Sequence, residues 1–130
     1  MLEHSKAFSG IAVRDLEESR RFYGDVLGLR VDDSDMGMLV LRLTGDRPIL
    51  LYPKPDHEPA GYTVLNFPVD DVESTVDALT GRGVRFERYE GTEVETDPKG
   101  VFRGGGPLIA WFTDPSGNVL SVIEGTGLDG

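Results

Sequence analysis

Cysteine is absent from the 130 residues of the chain, and histidine occurs only twice. Without cysteine the chain forms no disulfides, offers no thiolate to a metal and has no thiol nucleophile. His4 lies in a terminus that we expect to be frayed. His57 lies in a proline-rich stretch between Asp56 and Glu58. The composition therefore leaves few residues for metal or nucleophilic chemistry.

Long apolar runs are also missing. No segment approaches the roughly 18 consecutive apolar residues that indicate a membrane-spanning helix. The first residues contain no apolar stretch typical of a secretory signal peptide. We therefore expect a cytoplasmic protein.

Basic residues are scarce beside acidic ones, with 13 Lys and Arg against 23 Asp and Glu, which gives a net charge of −10. This balance disfavours nucleic acid and anionic membranes as partners, because both need a positively charged surface. It is compatible with a cationic ligand, although acidity also serves simply to keep a small protein in solution. The chain length suffices for one domain with a hydrophobic core.

A strand-like run that ends in an aspartate and opens a helix occurs twice. In the first copy Phe8 lies seven positions before Asp15, and in the second Val64 lies seven positions before Asp71. The remaining pattern follows the order strand, helix, strand, strand, strand in both copies, offset by about 56 residues. The pattern predicts a duplicated βαβββ unit.

The helix starts are predicted from their caps. Asp15 is predicted to cap the first helix, with Glu18 completing a capping box, and either Asp70 or Asp71 is predicted to cap the second. The first helix is predicted to end at Gly28 and the second at Gly81 and Gly83. Strands are predicted over residues 8–13, 29–32, 38–43, 48–52, 62–69, 84–89, 107–113 and 118–124. Turns are predicted at residues 45–46, 97–100 and 114–117, and residues 90–106 are predicted as a long loop.

Strand alternation assigns side chains to the two faces of each predicted sheet. One set should pack under the helices: Ile11, Val13, Leu65, Phe67 and Val69. The opposite set should line the concave side: Phe8, Gly10, Ala12, Val64, Asn66 and Pro68. The overall class is α+β.

This order of elements, together with residues 11–16, 21–29, 65–71 and 112–118, resembles the vicinal oxygen chelate superfamily. That group includes glyoxalase I, extradiol dioxygenases, fosfomycin resistance proteins and bleomycin resistance proteins. The resemblance implies two βαβββ modules in tandem that form a curved, half-open mixed sheet with the helices outside, paired in a homodimer. It implies a single domain over residues 1–130, made of repeats at about 6–53 and 61–126. It does not select a reaction, because one scaffold hosts several chemistries.

The resemblance also places the positions at which metal enzymes of that group hold their ion. They correspond here to Phe8, Val64, Ser121 and, with an uncertainty of one residue, Leu51. A shift by one residue reaches Leu50 or Tyr52. Zinc, nickel, iron and manganese need imidazole, carboxylate or thiolate donors, which these side chains do not supply. We therefore expect no metal, no other cofactor and no metal-dependent catalytic residue.

The predicted pocket is lined by Phe8, Leu51, Val64, Asn66, Arg103, Trp111 and Ser121. Asn66 is either a hydrogen-bonding group for a ligand or a polar residue satisfied by a neighbour. Trp111 either stacks on a planar or cationic ligand or packs in a core or dimer interface. The run from Asp56 to Glu58 is a weak alternative metal site.

Two functions of different classes follow. The first is a metal-free protein that binds a small, aromatic or cationic molecule, as the resemblance to bleomycin resistance proteins implies. The alternative is a glyoxalase-like lyase or isomerase, or a dioxygenase-type enzyme, using a displaced metal or the acid–base groups Glu124, Asn66, Tyr52 and Tyr62. A regulatory or accessory domain without ligand chemistry is a third interpretation.

Overall fold

A computed structural model describes residues 1–44, 47–89, 91–93 and 95–125. The chain divides into two compact units, Met1–Glu58 and Pro59–Gly130, called unit 1 and unit 2. Unit 1 contains β1 (Ser9–Val13), α1 (Leu16–Arg20) continued by a π-helix (Arg21–Val26), β2 (Arg30–Asp33), β3 (Leu39–Arg42) and β4 (Ile49–Pro53). Unit 2 contains β5 (Thr63–Val69), α2 (Val72–Gly81), β6 (Val101–Phe102), β7 (Ile109–Thr113) and β8 (Val119–Glu124).

Both helices begin as the sequence predicts. The Asp15 side chain accepts a hydrogen bond from the Glu18 backbone N–H at 2.9 Å, and Asp71 accepts one from the Ser74 N–H at 3.1 Å. The two caps share φ −141°, with ψ of 120° and 106°. Each aspartate satisfies a backbone donor that the first helical turn leaves without a partner. The similar geometry confirms the repeat at the point where the sequence signal is strongest.

The first helix differs in type from the continuous α-helix that the apolar spacing suggests. After Arg20 it widens into a π-helix, in which the Leu27 N–H donates to the Phe22 carbonyl oxygen at 2.9 Å. This bond spans five residues rather than four. Tyr23 lies within the π-helix and is fully buried. Gly28 follows with φ 77°, a left-handed conformation that ends the helix at little steric cost.

Each unit contains one four-stranded mixed sheet of the same topology. The strand orders are β1-β4-β3-β2 and β5-β8-β7-β6, and the first and last strands of each unit pair in parallel. The remaining neighbours are antiparallel. A parallel pair requires a crossover connection, which each unit supplies by way of its helix. The predicted fold of two βαβββ modules in tandem is confirmed.

The register separates two faces in each sheet. One face, called the core face, carries the buried apolar residues Ile11, Val13, Leu39, Leu41, Ile49 and Leu51 in unit 1, and Val101, Ala110, Phe112, Leu120 and Val122 in unit 2. Val72 and Val76 of α2 are buried in the same unit. The prediction for Ile11 and Val13 is confirmed. Leu65, Phe67 and Val69 are half-buried.

The opposite face, called the open face, carries residues that are half-buried or exposed, apart from Ala12 and Ser121. In unit 1 it includes Gly10, Val40 and Leu50. In unit 2 it includes Asn66, Pro68 and Trp111. The open face therefore offers the accessible side chains of each sheet, because the core face is filled by packed side chains.

Two predicted elements of unit 2 need correction. Residues 84–89 form no strand in the structure and contribute only a single bridge between Phe86 and Phe112. The Thr96 side chain instead engages backbone groups of this segment, accepting from the Tyr89 N–H at 3.2 Å and donating to the Glu87 carbonyl at 3.4 Å. The outer strand is β6, which lies within the predicted loop over residues 90–106.

The predicted turns have different outcomes. At residues 97–100 the Gly100 N–H donates to the Asp97 carbonyl at 2.9 Å, and at residues 114–117 the Gly117 N–H donates to the Asp114 carbonyl at 3.0 Å. Both turns are confirmed. The predicted turn at residues 45–46 lies outside the described residues.

The turn before β8 depends on one buried carboxylate. Asp114, which is 4% exposed, accepts hydrogen bonds from the Ser116 N–H, the Asn118 N–H and the Asn118 side-chain amide, each at 2.9 Å. Asn118 is also buried. The stretch Asp114-Pro115-Ser116-Gly117-Asn118 is thus specified by internal hydrogen bonding of the hairpin, which explains its strength as a marker of the fold.

Asp114→Ala should lower the free energy of unfolding by about 2–3 kcal/mol, because it leaves buried donors of Ser116 and Asn118 without their acceptor. Chemical denaturation measures the change. The matched control is Asp35→Ala, since Asp35 is an exposed turn residue, and a change within about 0.5 kcal/mol is expected. Equal effects of the two substitutions would contradict the structural role of Asp114.

Candidate functional site

Three side chains form a row across the open face of unit 2. Asn66 of β5 lies opposite Ser121 of β8, and Ser121 lies opposite Trp111 of β7. Residues that are directly opposite each other in neighbouring strands place their side chains on the same face. The structure therefore brings together three of the predicted pocket residues, which we call the Asn66–Ser121–Trp111 row.

The polar end of the row is a hydrogen-bonded pair. The Ser121 hydroxyl donates to the Asn66 carbonyl oxygen Oδ1 at 2.5 Å. Ser121 is fully buried, whereas Asn66 is exposed. The amide nitrogen of Asn66 is thus left as a donor for a bound molecule. The Ser121 hydroxyl proton is thus bound by an amide oxygen, whereas a serine nucleophile donates its proton to a base.

The aromatic end of the row is a cluster around Trp111. The Trp111 ring lies 5.4 Å from the Tyr89 ring and 5.9 Å from the Phe102 ring, measured between centroids. Trp111 and its two neighbours are each half-buried. Burial, and secondarily the charge of Glu87, raise the pKa of the Tyr89 hydroxyl, so this group stays neutral at pH 7. The cluster offers an apolar, uncharged aromatic surface.

Sequence reasoning missed Tyr89 and Phe102 as members of this cluster. Residues 84–89 were predicted to be a strand, and Phe102 was placed in a loop. The contact with Trp111 arises because β6 pairs with the start of β7 and because the Glu87 N–H donates to the Trp111 carbonyl at 2.8 Å. The aromatic residues at positions 86, 89 and 102 are visible in the sequence. Their spacing along the chain does not predict which of them contacts Trp111.

Val64 and Phe8 occupy special positions at the start of the first strand of each unit. Between Thr63 and Leu65 the β5–β8 register shifts by one residue, so that Val64 is the extra residue of a β-bulge. This bulge interrupts the alternation that predicted where Val64 points. Phe8 directly precedes β1 and is 61% exposed. Their roles as pocket-lining residues stay predictions.

The register in unit 1 favours Leu50 over Leu51 at the position equivalent to Ser121. Leu51 pairs with Ile11 and Leu39 on the core face and is fully buried. Leu50 pairs with Gly10 and Val40 on the open face and is half-buried. The sequence places this position at Leu51 with an uncertainty of one residue. The strand register assigns it to Leu50, because Leu50 and not Leu51 lies on the open face.

Arg103 is held by two carboxylates. Its Nη2 lies 2.5 Å from the Glu73 Oε1, and its Nε lies 2.9 Å from the Asp97 Oδ2. Burial raises the pKa of Asp97, but hydrogen bonds from the Val101 N–H, the Arg103 side chain and the Lys99 N–H outweigh it and lower the pKa. The charge of Arg103 is thus compensated within unit 2, which weakens its predicted role as a ligand contact.

A family model fits this architecture. The model described as "Glyoxalase/Bleomycin resistance protein/Dioxygenase superfamily" matches residues 4–122. The chain belongs to this superfamily. The resemblance seen in the sequence is confirmed.

Solved structures of the superfamily share the fold. A bleomycin resistance determinant encoded on the transposon Tn5 is 21% identical, with a TM-score of 0.65, and 92% of this chain and 96% of that chain are covered. TnmS3, an antibiotic binding protein from Streptomyces sp. CB03234, is 23% identical, with a TM-score of 0.63 and the same coverage. A glyoxalase family protein from Enterococcus faecalis is 20% identical, with a TM-score of 0.65, and 95% and 100% are covered. No curated protein matches the chain.

The residues at the superfamily's metal positions do not fit a divalent transition metal. Phe8, Val64 and either Leu50 or Leu51 offer hydrocarbon, and the Ser121 hydroxyl is bound to Asn66. Such a site lacks the imidazole and carboxylate donors that zinc, nickel or iron requires. Within residues 1–44, 47–89, 91–93 and 95–125, no three or more His, Asp or Glu side chains gather in an arrangement that could hold a metal.

The remaining candidate groups have other contacts or lie in exposed positions. The Glu124 carboxylate accepts a hydrogen bond from the Val72 N–H at 3.3 Å, at the start of α2 and on the core face. Tyr62 is 71% exposed, and Tyr52 lies on the open face of unit 1. Asp56 pairs with Lys54 at 2.9 Å. The hydrogen bond from Val72 thus gives Glu124 a structural contact on the core face rather than a position on the open face.

Among the described residues, no helix has the length and apolar character needed to cross a membrane.

Removing either partner of the Asn66–Ser121 hydrogen bond should have unequal effects. Ser121→Ala should cost about 1 kcal/mol of unfolding free energy, because water can solvate the exposed Asn66. Asn66→Ala should cost more, about 1–3 kcal/mol, because it leaves the buried hydroxyl without its acceptor. Denaturation of both variants and of the double variant measures the coupling. Additive effects of the two substitutions would contradict the interaction, and Ser9→Ala at an exposed strand position serves as control.

Proposed function

We propose that this protein binds a small aromatic molecule on the open face of unit 2, without a metal and without changing the bound molecule chemically. The Asn66–Ser121–Trp111 row carries the proposal. It combines an aromatic surface with one accessible amide, and its Ser121 stands at a position where metal-dependent members of the superfamily hold a metal ligand. A mostly apolar site with a few oriented polar groups is the usual composition of a small-molecule site.

The two ends of the row offer different interactions to a ligand: stacking at Trp111 and hydrogen bonding at Asn66. The Trp111 cluster can stack on a planar ring, and an aromatic pair contributes about 0.5–1.5 kcal/mol beyond the burial of its area. The Asn66 amide nitrogen can donate to a ligand carbonyl and so fix its orientation. Its carbonyl oxygen is already bound by Ser121, which holds the amide plane in place before the ligand arrives.

The related structures support the ligand class. The Tn5 protein is a bleomycin resistance determinant, and TnmS3 is an antibiotic binding protein. They share the fold with this chain at 21% and 23% identity, so they suggest which compounds to test and do not identify the ligand. The net charge of −10 favours cationic aromatic compounds at long range.

The alternative of a lyase, isomerase or dioxygenase has less support. Ser121 donates to an amide, Glu124 accepts from the start of α2, and the metal positions offer no charged donors. We further propose that the protein is a single-domain homodimer located in the cytoplasm, and that it has no nucleic-acid partner.

Screening neutral and cationic aromatic natural products should yield ligands that quench or shift the fluorescence of Trp111, the only tryptophan. Trp111→Leu should weaken binding of such a ligand about tenfold, because the stacking surface is lost. Calorimetry measures the affinity of the variant, which has no tryptophan signal. Tyr62→Leu is the matched control, since Tyr62 is an exposed aromatic residue outside the row.

Mass spectrometry of the ligand after incubation separates binding from catalysis. Recovery of the unchanged compound is expected. Conversion of the compound by the purified protein, with loss of conversion in Trp111→Leu, would contradict the binding role and favour the enzyme.

Adding zinc, nickel, manganese or iron should leave the thermal unfolding midpoint unchanged. A specifically bound ion at about one hundred times its dissociation constant would add roughly 2.7 kcal/mol of stability. Asp56→Asn/His57→Ala is measured in parallel, because this run could hold an ion weakly. A stoichiometric metal that stays bound to this variant would overturn the metal-free proposal.

A further inference from the structure

Unit 1 contains a cavity of about 510 Å³ whose lining includes four cationic side chains. The lining residues are Lys6, Arg30, Arg42, Leu43, Arg47 and Pro48. The chain has only 13 Lys and Arg and a net charge of −10. A cavity wall with four of these cations is therefore a local reversal of the sign of the protein's charge.

Two of the cations are forced together by the sheet. Arg30 of β2 and Arg42 of β3 lie directly opposite each other. Like charges at directly opposite positions destabilise a pair of strands. They share the open face with Asp32 and Val40, which form the next opposite pair on that face. The arrangement has an electrostatic cost that a bound anion would offset.

Asp32 offsets only part of this charge. Its carboxylate lies 3.3 Å from the Arg30 Nε and 3.1 Å from the Arg42 Nε. The hydrogen bond from Arg42, followed by the bond and charge of Arg30, outweighs desolvation and lowers the pKa of Asp32, which stays ionised. Both contacts use Nε, so the terminal Nη groups remain available as donors. Paired guanidinium donors match the geometry of carboxylate and phosphate.

We propose that this cavity binds a small molecule bearing phosphate or carboxylate groups. Among the described residues, one carboxylate, that of Asp32, pairs with the four cations of the lining, which leaves an excess of positive charge. The cavity volume lies within the range typical of small-molecule sites. The site is distinct in chemistry from the aromatic row of unit 2. The test of the cavity uses anions without an aromatic ring. A negative result for the cavity therefore leaves the proposed aromatic site of unit 2 unaffected, and the reverse also holds.

The probes are pyrophosphate and citrate, titrated calorimetrically into the full chain at an ionic strength held constant with chloride. Saturable binding of one anion per chain is expected. Tighter binding of pyrophosphate assigns the site to phosphate groups, and tighter binding of citrate assigns it to carboxylates. The proposal would be overturned if neither pyrophosphate nor citrate bound saturably.

Arg30→Gln/Arg42→Gln should weaken binding at least about tenfold, because it removes charge-assisted hydrogen bonds. Arg85→Gln/Arg88→Gln removes the same charge from exposed positions of unit 2 and should change the affinity by less than about twofold. Equal affinities of the two double variants would reject the site. If the first variant is unfolded, Lys6→Gln/Arg47→Gln replaces it. These residues lie outside the strands, and an affinity equal to that of the control would likewise reject the site.

Discussion

Parallel pairing of the first and last strands of each unit determines which side chains lie on the open face of its sheet. In unit 2 this pairing places Asn66 opposite Ser121, and in unit 1 it places Gly10 opposite Leu50. A shift of one residue in either pair would exchange the core face for the open face. The bulge at Val64 and the helix caps at Asp15 and Asp71 lie at the two ends of these first strands. The candidate sites therefore depend on register before they depend on the chemistry of any one residue.

The same register exposes how far the two units have diverged. The Asn66–Ser121–Trp111 row has its topological counterpart in Gly10, Leu50 and Val40 of unit 1. That counterpart contains no hydrogen-bonding side chain. At Gly10 an added Cβ would lie 3.5 Å from the Tyr52 ring, an ordinary van der Waals contact with a residue of β4. The duplicated backbone has thus kept its topology while the chemistry of equivalent positions has changed.

Sequence predicts well the features that are set by a few neighbouring residues. The aspartate caps and the turn at Asp114 each need only local hydrogen bonds, and the repeat spacing then gives the order of elements. Features that depend on pairing between distant segments are harder to predict from the sequence. Three features depend on such pairing. They are the Thr96 contacts at residues 84–89, the bulge at Val64, and the presence of Leu50 rather than Leu51 on the open face.

The candidate sites show the same division. Asn66, Trp111 and Ser121 were predicted individually from alternation and from the resemblance, and the sheet brings them into one row. The cationic cavity was not predicted. Lys6, Arg30, Arg42 and Arg47 come from separate segments, and the net charge of −10 pointed toward cationic ligands. Overall charge describes the field at long range, whereas at contact distance the few charges that line a cavity dominate, because salt screens the more distant ones.

The neutral hydroxyl of Ser121 is compatible with the aromatic surface beside it. A carboxylate at the position of Ser121, directly opposite Trp111, would place an uncompensated charge beside the indole ring whenever no ion was bound. Neutral replacements at Val64 and Ser121 remove that constraint, and the Ser121–Asn66 bond satisfies the one buried hydroxyl. The open face of unit 2 can then stay apolar. The cationic groups lie instead at the β2–β3 pair of unit 1, where Asp32 forms ion pairs with Arg30 and Arg42.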